Sequence, residues 1–174
     1  MDEKRFNNLT KIIAVSKTFS MDQILPLIEY GHLDFGENKV QESVDKWTEI
    51  KRKYPSINLH MIGKLQTNKV KFVVPLFDYI HSLDSYKLAK KISDEQIKND
   101  KKLKIFIQIN IGNESQKSGI NSNELIEFYN YCINDLDLNI TGIMCLPPNE
   151  DNGDFYFTKM SELIQKISVA EPIK

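Results

Sequence analysis

The clearest potential for chemistry in this sequence lies with a lysine directly after a short apolar run. Lys17 follows Ile12-Ile13-Ala14-Val15-Ser16. At the end of a buried strand, an amine meets a water-poor environment that favours its neutral form, and a neutral amine can attack a carbonyl carbon. The position therefore predicts a lysine able to form a Schiff base. Because lysine is abundant in this chain, a solvated lysine at a strand end is the alternative.

Two further candidates follow or lie within the third apolar run, Ile57 to Ile62. His60 could stack against a bound ligand, or it could be a hydrogen-bonded histidine of the core. Lys64 comes after Gly63, and it could face the same site as Lys17 or simply be solvated in a turn. The sequence leaves both alternatives open.

Three more positions have a functional and a structural interpretation. Glu37 and Asn38 follow the second run, where they could contact a ligand or cap the helix that comes next. Met144 ends the sixth run and could face a ligand or fill the core. The stretch Ser115-Gln116-Lys117-Ser118-Gly119 could hold a phosphate through backbone amides, or it could be a surface loop.

The elements that must position these residues alternate between strands and helices. A helical stripe of Val40, Val44, Trp47 and Ile50 ends before Pro55, and two further stripes include Leu125 to Ile133 and Phe157 to Ile167. The strands are predicted in six apolar runs with little polar alternation, as expected when both faces of a sheet are covered. These runs are Lys11 to Ser16, Leu33 to Phe35, Ile57 to Ile62, Phe77 to His81, Leu103 to Ile111 and Leu138 to Met144.

This alternation predicts a parallel α/β fold in a single domain over residues 1–174. Six βα units suit a doubly wound sheet or most of a (β/α)8 barrel. Ser16-Lys17-Thr18 occupies the place of a glycine-rich dinucleotide turn, which disfavours the doubly wound alternative. A complete barrel needs roughly 200 residues or more, so the sequence covers an incomplete barrel of about six units.

Composition excludes several classes of protein. The chain of 174 residues has 23 basic and 24 acidic side chains, and this balance gives no field that would attract nucleic acid. No apolar stretch is long enough for a membrane span, and the first residues do not form a secretory signal, so we expect a cytoplasmic protein. Cys132 and Cys145 lack the spacing of a metal site or a disulfide framework, and no metal is expected.

Several ordered motifs resemble the pyridoxal phosphate homeostasis protein family, single-domain relatives of the alanine racemase barrel. The motifs are Ala14-Val15-Ser16-Lys17-Thr18, Phe35-Gly36-Glu37-Asn38-Lys39-Val40-Gln41-Glu42, His60-Met61-Ile62-Gly63-Lys64-Leu65-Gln66-Thr67-Asn68-Lys69, Gln108-Ile109-Asn110 with Lys117-Ser118-Gly119, and Gly142-Ile143-Met144-Cys145-Leu146-Pro147. The resemblance covers most of the chain in order.

The resemblance implies a cofactor and a set of residues that bind it. Lys17 would hold pyridoxal 5'-phosphate as a Schiff base, and Asn38, Ile62 and Met144 would lie beside the pyridine ring. His60 would contribute less directly. The function implied is cofactor binding in intracellular vitamin B6 homeostasis, with no catalytic residue and no substrate turnover.

The sequence departs from the family after the sixth helix. In the family, segments after strands seven and eight bind the phosphate and the pyridine nitrogen, and no arginine follows Arg52 in this chain. We therefore expect either a fragment of a longer product or a shorter homologue whose open barrel edges are covered by a second copy or another partner.

Three other functions stay open at this point. One is a fold-type III racemase or decarboxylase, which needs an acid or base opposite the lysine; no tyrosine or cysteine stands at a family-matched position there. The second is an aldolase-like barrel that uses Lys17 without a cofactor. The third is a degenerate barrel that binds nothing.

Overall fold

The computed structural model describes residues 10–112, 114, 118–148 and 153–168, and within them strands and helices alternate along the chain. The strands are β1 (Ala14–Val15), β2 (Asp34–Glu37), β3 (Asn58–Met61), β4 (Tyr79–Leu83), β5 (Lys104–Ile109) and β6 (Asn139–Cys145). The helices are α1 (Met21–Glu29), α2 (Val40–Lys53), α3 (Val70–Leu76), α4 (Tyr86–Asn99), α5 (Leu125–Asn130) and α6 (Gly153–Ser168). A 3-10 turn (Thr67–Lys69) leads into α3, and a π-helical turn (Tyr131–Asp135) extends α5.

The strand order decides between the two architectures left open by the sequence. All strand pairs are parallel, and the order in the sheet is β1-β2-β3-β4-β5-β6. A doubly wound sheet reverses its order at a switch point, whereas a (β/α) barrel adds each strand next to the last. The chain therefore forms part of a (β/α)8 barrel, as predicted.

The two outer strands of the sheet are edges within the described residues. β1 pairs only with β2, and β6 pairs only with β5. Ile12 is 58% exposed and Val15 is 46% exposed beside the β1 edge. The expectation that another chain covers these edges stays a prediction.

The strands alternate more strongly than the sequence analysis expected. Leu59 and Met61 of β3 and Ile80 of β4 are fully buried against the helices. The residues between them, such as His60 and His81, point into the barrel, where they contact each other. Successive strand side chains point to opposite faces, so in these two strands histidines face inward and apolar side chains face the helices.

Helix α2 shows how the outer layer packs. Its stripe predicts the observed helix, and Trp47 is fully buried with its ring 5.1 Å from that of Phe35 on β2. The helices α1, α3 and α4 were not predicted, because no apolar stripe was identified in their segments. Pro26 and Pro75 interrupt the pattern inside α1 and α3.

The remaining expectations concern membrane spans and cysteines. Among the described residues, no helix has both the length and the apolar character needed to cross a membrane. Cys132 and Cys145 are free thiols. They are not joined in a disulfide, which agrees with their spacing.

Candidate functional site

A cavity of about 640 Å³ lies at the carboxyl ends of the strands. This is the end at which (β/α) barrels place their active sites, and the volume falls within the usual range for small-molecule pockets. The wall is formed by Val15, Lys17, Asn38, Ile62, Gly63, Lys64, His81, Gln108, Ile109, Asn110, Ser118, Met144, Cys145 and Leu146.

The structure brings four of the five residues proposed from the sequence to this wall. Lys17 follows β1, Asn38 follows β2, Ile62 follows β3 and Met144 lies on β6, and all four line the cavity. They converge because the carboxyl ends of parallel strands meet at one edge of the sheet. Lys64 lines the cavity as well.

His60, the fifth residue, does not line the cavity. It is buried two positions before Ile62 on the inward face of β3, so it lies one layer deeper in the barrel. Its Nδ1 is 2.9 Å from Nε2 of His81, and its Nε2 is 3.1 Å from Oδ1 of Asp34. The interpretation as a hydrogen-bonded core histidine matches these contacts.

The environment of Lys17 differs from the water-poor mouth that the sequence suggested. Lys17 lines the cavity but is exposed. Within the described residues β1 is an edge of the sheet, so the wall beside Lys17 is open to solvent on one side.

The loop that carries Lys17 is anchored on both sides by Glu37 and Lys46. Oε1 of Glu37 accepts hydrogen bonds from Ser16 Oγ at 2.8 Å, from Lys46 Nζ at 2.8 Å and from Trp47 Nε1 at 2.9 Å. Lys46 Nζ also donates to the carbonyls of Ser16 and Phe19, at 2.9 and 3.1 Å. Capping of α2 by Glu37 was one of the two alternatives that the sequence allowed. In the structure the Glu37 side chain instead helps to fix the residues that flank Lys17.

Asn38 presents an unused acceptor in the site. Its Oδ1 is buried and has no hydrogen-bond partner among the described residues. Leaving a buried acceptor unpaired costs free energy, so such an atom in a cavity wall is available to a ligand. Asn38 lines the cavity and does not cap α2 with its side chain.

Two titratable groups in the wall have shifted pKa values. Burial raises the pKa of the Cys145 thiol, which keeps it protonated at neutral pH. Burial, helped by the neighbouring His60, lowers the pKa of His81 to about 4. No group of three or more potential metal ligands occurs among the described residues.

His81 lies in the cavity wall although no motif in the sequence indicates it. The one signal in the sequence was its position at the end of the fourth apolar run. In the structure, the pairing of Met61 with Ile80 places Ile62 and His81 at the same level of the sheet. Cys145 lines the cavity beside Met144, within the motif Gly142-Ile143-Met144-Cys145-Leu146-Pro147. Of the stretch 115–119, residues 115–117 lie outside the described residues, while Ser118 lines the cavity.

Comparison with known proteins shows the family to which this chain belongs. Residues 3–172 match the alanine racemase N-terminal domain family. The pyridoxal phosphate homeostasis protein of Haemophilus influenzae is 35% identical over 98% of this chain and 73% of its own length. That of Pasteurella multocida is 36% identical over 97% of this chain and 74% of its own length. The chain belongs to the pyridoxal phosphate homeostasis protein family.

A solved structure supports the same assignment. PipY of Synechococcus elongatus without PLP aligns with a TM-score of 0.89 and 26% identity, over 97% of this chain and 80% of that protein. PipY with PLP bound aligns with a TM-score of 0.85 and 25% identity, over 97% and 79%. The fold predicted for this member of the pyridoxal phosphate homeostasis protein family is thus confirmed.

The close approach of two strand ends in this family member leads to a first prediction. A Cβ at Gly63 would lie 2.3 Å from the backbone oxygen of Asn38 and 2.7 Å from its Cα. Gly63→Ala must therefore push the ends of β2 and β3 apart, and we expect it to lower the free energy of unfolding by about 1–3 kcal/mol.

Urea unfolding monitored by circular dichroism measures this loss. Gly153→Ala is the matched control, because a Cβ there meets only Phe157 at an ordinary 3.9 Å. Equal stabilities of Gly63→Ala and the wild type would contradict the prediction.

A second prediction concerns the acid stability of this family member. Because the pKa of His81 is about 4 in the fold and near 6.5 when unfolded, the unfolded chain binds more protons between these values. The contribution of neutral His81 is fully present above pH 6.5 and is lost as the pH falls towards 4. We expect the wild type to lose about 2 kcal/mol more than His81→Asn between pH 7 and pH 4.5.

Urea unfolding at the two pH values measures this difference. His32→Asn is the control variant and should keep the wild-type dependence, since it leaves the contact between His60 and His81 in place. The same pH dependence in the wild type and in His81→Asn would refute the assignment.

Proposed function

We propose that this protein binds pyridoxal 5'-phosphate in the cavity at the strand ends, holds it as a Schiff base on Lys17, and serves intracellular vitamin B6 homeostasis without turning over a substrate. The observation that carries the proposal is the convergence of Lys17, Asn38, Ile62 and Met144 on one cavity. The names of the relatives and the bound state of PipY support the choice of ligand.

The residues of the cavity fit this ligand. Asn38 offers a buried, unpaired acceptor, and Ile62 and Met144 offer apolar surface for a flat aromatic ring. Lys17 and Lys64 supply amines, and the amine not joined to the ligand would attract its phosphate. Pyridoxal phosphate, when bound, supplies an aldehyde that a lysine can capture.

Lys17 would act as the nucleophile of this capture. Its neutral amine attacks the aldehyde carbon, a C=N bond replaces the C=O bond, and the oxygen leaves as water. The anchors at Ser16 and Phe19 hold the backbone on both sides of Lys17, so the amine samples a limited volume at the cavity wall.

The absence of turnover is proposed from the acid and base groups available. A racemase or decarboxylase needs a group that exchanges a proton with the substrate. Cys145 and His81 line the cavity, but burial raises the pKa of the Cys145 thiol and lowers the pKa of His81 to about 4. At neutral pH the thiol carries little thiolate, and an imidazole of such low pKa is a weak base. The described part of the wall contains no tyrosine.

The proposal is tested by titrating the wild-type protein with pyridoxal 5'-phosphate. We expect an absorbance band of the Schiff base, and borohydride reduction followed by peptide mass spectrometry should place the label on Lys17. An unchanged spectrum at saturating cofactor, or a label spread over several lysines, would overturn the proposal. Exchange of the α-proton of an amino acid by the loaded protein would overturn the absence of turnover.

A further inference from the structure

A chain of polar side chains crosses the inside of the barrel and ends at the cavity. Oδ1 of Asp34 on β2 is held by Asn58 Nδ2 at 3.0 Å and by His60 Nε2 at 3.1 Å. His60 Nδ1 in turn lies 2.9 Å from Nε2 of His81 on β4. Of the two histidines, His81 lines the cavity and His60 does not.

Aromatic rings hold both imidazoles in place. The ring of His60 stacks on Tyr79 with centroids 4.2 Å apart and planes 13° apart. The ring of His81 stacks on Phe106 at 4.5 Å and 19°. Gly142 allows Phe106 this position, because a Cβ there would lie 3.0 Å from the Phe106 ring. The two histidines therefore have little freedom to rotate.

The hydrogen bonds determine where the protons of these imidazoles lie. Burial lowers the pKa of His60 and brings that of His81 to about 4, so both rings are neutral at pH 7. A carboxylate only accepts hydrogen bonds, so Nε2 of His60 carries its proton and Nδ1 of His60 is the acceptor. Nε2 of His81 must then donate to His60, which leaves Nδ1 of His81 unprotonated.

We propose that Asp34 and His60 fix His81 as a hydrogen-bond acceptor in the cavity wall, and that His81 Nδ1 selects ligands that carry a hydroxyl at that point. Nε2 is occupied by His60, and no hydrogen bond from a described residue reaches Nδ1. The selection rests on the proposed function, since pyridoxal phosphate carries a hydroxyl on its ring.

This arrangement also gives the cavity a polarity. An unprotonated nitrogen attracts a donor and repels a phosphate oxygen, whereas Lys64, the amine not joined to the ligand, attracts phosphate. The ligand should therefore direct its donor group towards β4 and its anionic group towards Lys64. In this scheme Asp34 and His60 are positioning residues, and His81 is the residue that touches the ligand.

The proton positions can be measured without any ligand. The chain has three histidines, so nitrogen-15 NMR of the imidazoles can be assigned with single variants. We expect His81 to show a protonated Nε2 and an unprotonated Nδ1 at pH 7. The opposite tautomer in the wild-type protein would overturn the proposal.

Asp34→Asn tests the role of the carboxylate. An amide can donate as well as accept, so the variant no longer enforces the donor-to-acceptor direction of these hydrogen bonds. His81 should then populate both tautomers. His32 serves as the internal reference, because its Nε2 faces the backbone oxygen of residue 34 at 2.9 Å, which the substitution retains. An unchanged His81 tautomer in this variant would show that Asp34 does not position it.

Ligand selection is tested with two matched variants of His81 and with pyridoxine 5'-phosphate, which has no aldehyde and cannot bond to Lys17. His81→Asn keeps an oxygen near the place of Nδ1, whereas His81→Gln keeps only a group near the place of Nε2. Loss of one hydrogen bond predicts an affinity about tenfold lower for His81→Gln, with His81→Asn retaining most of the wild-type affinity. Equal affinities of the two variants would overturn the selection.

Failure of the proposed function has a different signature. A wild-type protein that binds neither pyridoxine 5'-phosphate nor pyridoxal 5'-phosphate would refute that function, while the tautomer measurement would still decide whether His81 is held as an acceptor.

Discussion

Lys17→Ala is expected to abolish the absorbance band and the borohydride-stable label that pyridoxal 5'-phosphate gives with the wild-type protein. The loss should be complete, because the imine requires a primary amine at the cavity wall and alanine has none. Any binding that remains should be reversible on dialysis. Spectral titration followed by intact-mass measurement checks both results.

The matched control for this prediction is Lys64→Ala. Lys64 lines the same cavity, so it tests whether any amine there can replace that of Lys17. We expect Lys64→Ala to keep the band. Because Lys17 is exposed, its substitution should change the free energy of unfolding by less than about 0.5 kcal/mol. A persistent label in Lys17→Ala, or its loss in Lys64→Ala alone, would move the reactive amine to another residue.

Lys46→Met is expected to have the largest effect on stability, lowering the free energy of unfolding by about 3 kcal/mol. The side chain of Glu37 is 1% exposed and that of Lys46 is 14% exposed, so removing the cation leaves a buried carboxylate without its counter-charge. The carbonyls of Ser16 and Phe19 lose their donor in the same variant. Urea unfolding of the wild type and the variant measures the loss.

The same helix offers a matched control in Lys51→Met. Lys51 is paired with Asp78 and has a similarly buried side chain, but Asp78 is 29% exposed, so water can solvate the carboxylate that remains. We expect a loss on the order of 1 kcal/mol for this control. Equal losses in the two variants would contradict the special role of the pair formed by Glu37 and Lys46.

The two substitutions on α2 should also differ in their effect on cofactor capture. Lys46→Met removes a contact that holds the loop around Lys17. Lys51 instead pairs with Asp78, which lies immediately before β4 and away from that loop. We therefore expect slower appearance of the absorbance band in Lys46→Met. The rate is measured without denaturant, at a temperature at which both variants are folded. Lys51→Met should keep the wild-type rate.

Local patterns in the sequence were sufficient for the order and type of several elements. The stripe of α2 and the apolar run before Lys17 both correspond to observed elements. The limits of the strands were less well predicted: β1 is confined to Ala14–Val15, while β2 continues to Glu37. Strand ends depend on pairing with the neighbouring strand, and periodicity within one segment does not contain that information.

The site shows the same division. Lys17 could be proposed because it follows an apolar run, whereas Asn38, Ile62 and Met144 were implied by the resemblance of their motifs to the family. Parallel strands bring such positions together. The contact between His60 and His81 could not be predicted, because these residues are 21 positions apart and meet only through the pairing of β3 with β4. The position of Glu37 beneath the Lys17 loop likewise depends on α2 crossing back over β1 and β2.

The sequence by itself determined that strands alternate with helices, that a lysine follows the first strand, and that ordered motifs resemble one family. Only the tertiary structure decided that the strands add in sequential order, that His60 is buried while His81 reaches the cavity, and that Glu37 anchors the lysine loop. The physical reason is that hydrophobic periodicity describes each segment alone, whereas the partners of a polar side chain are set by strand register and helix packing across the whole fold.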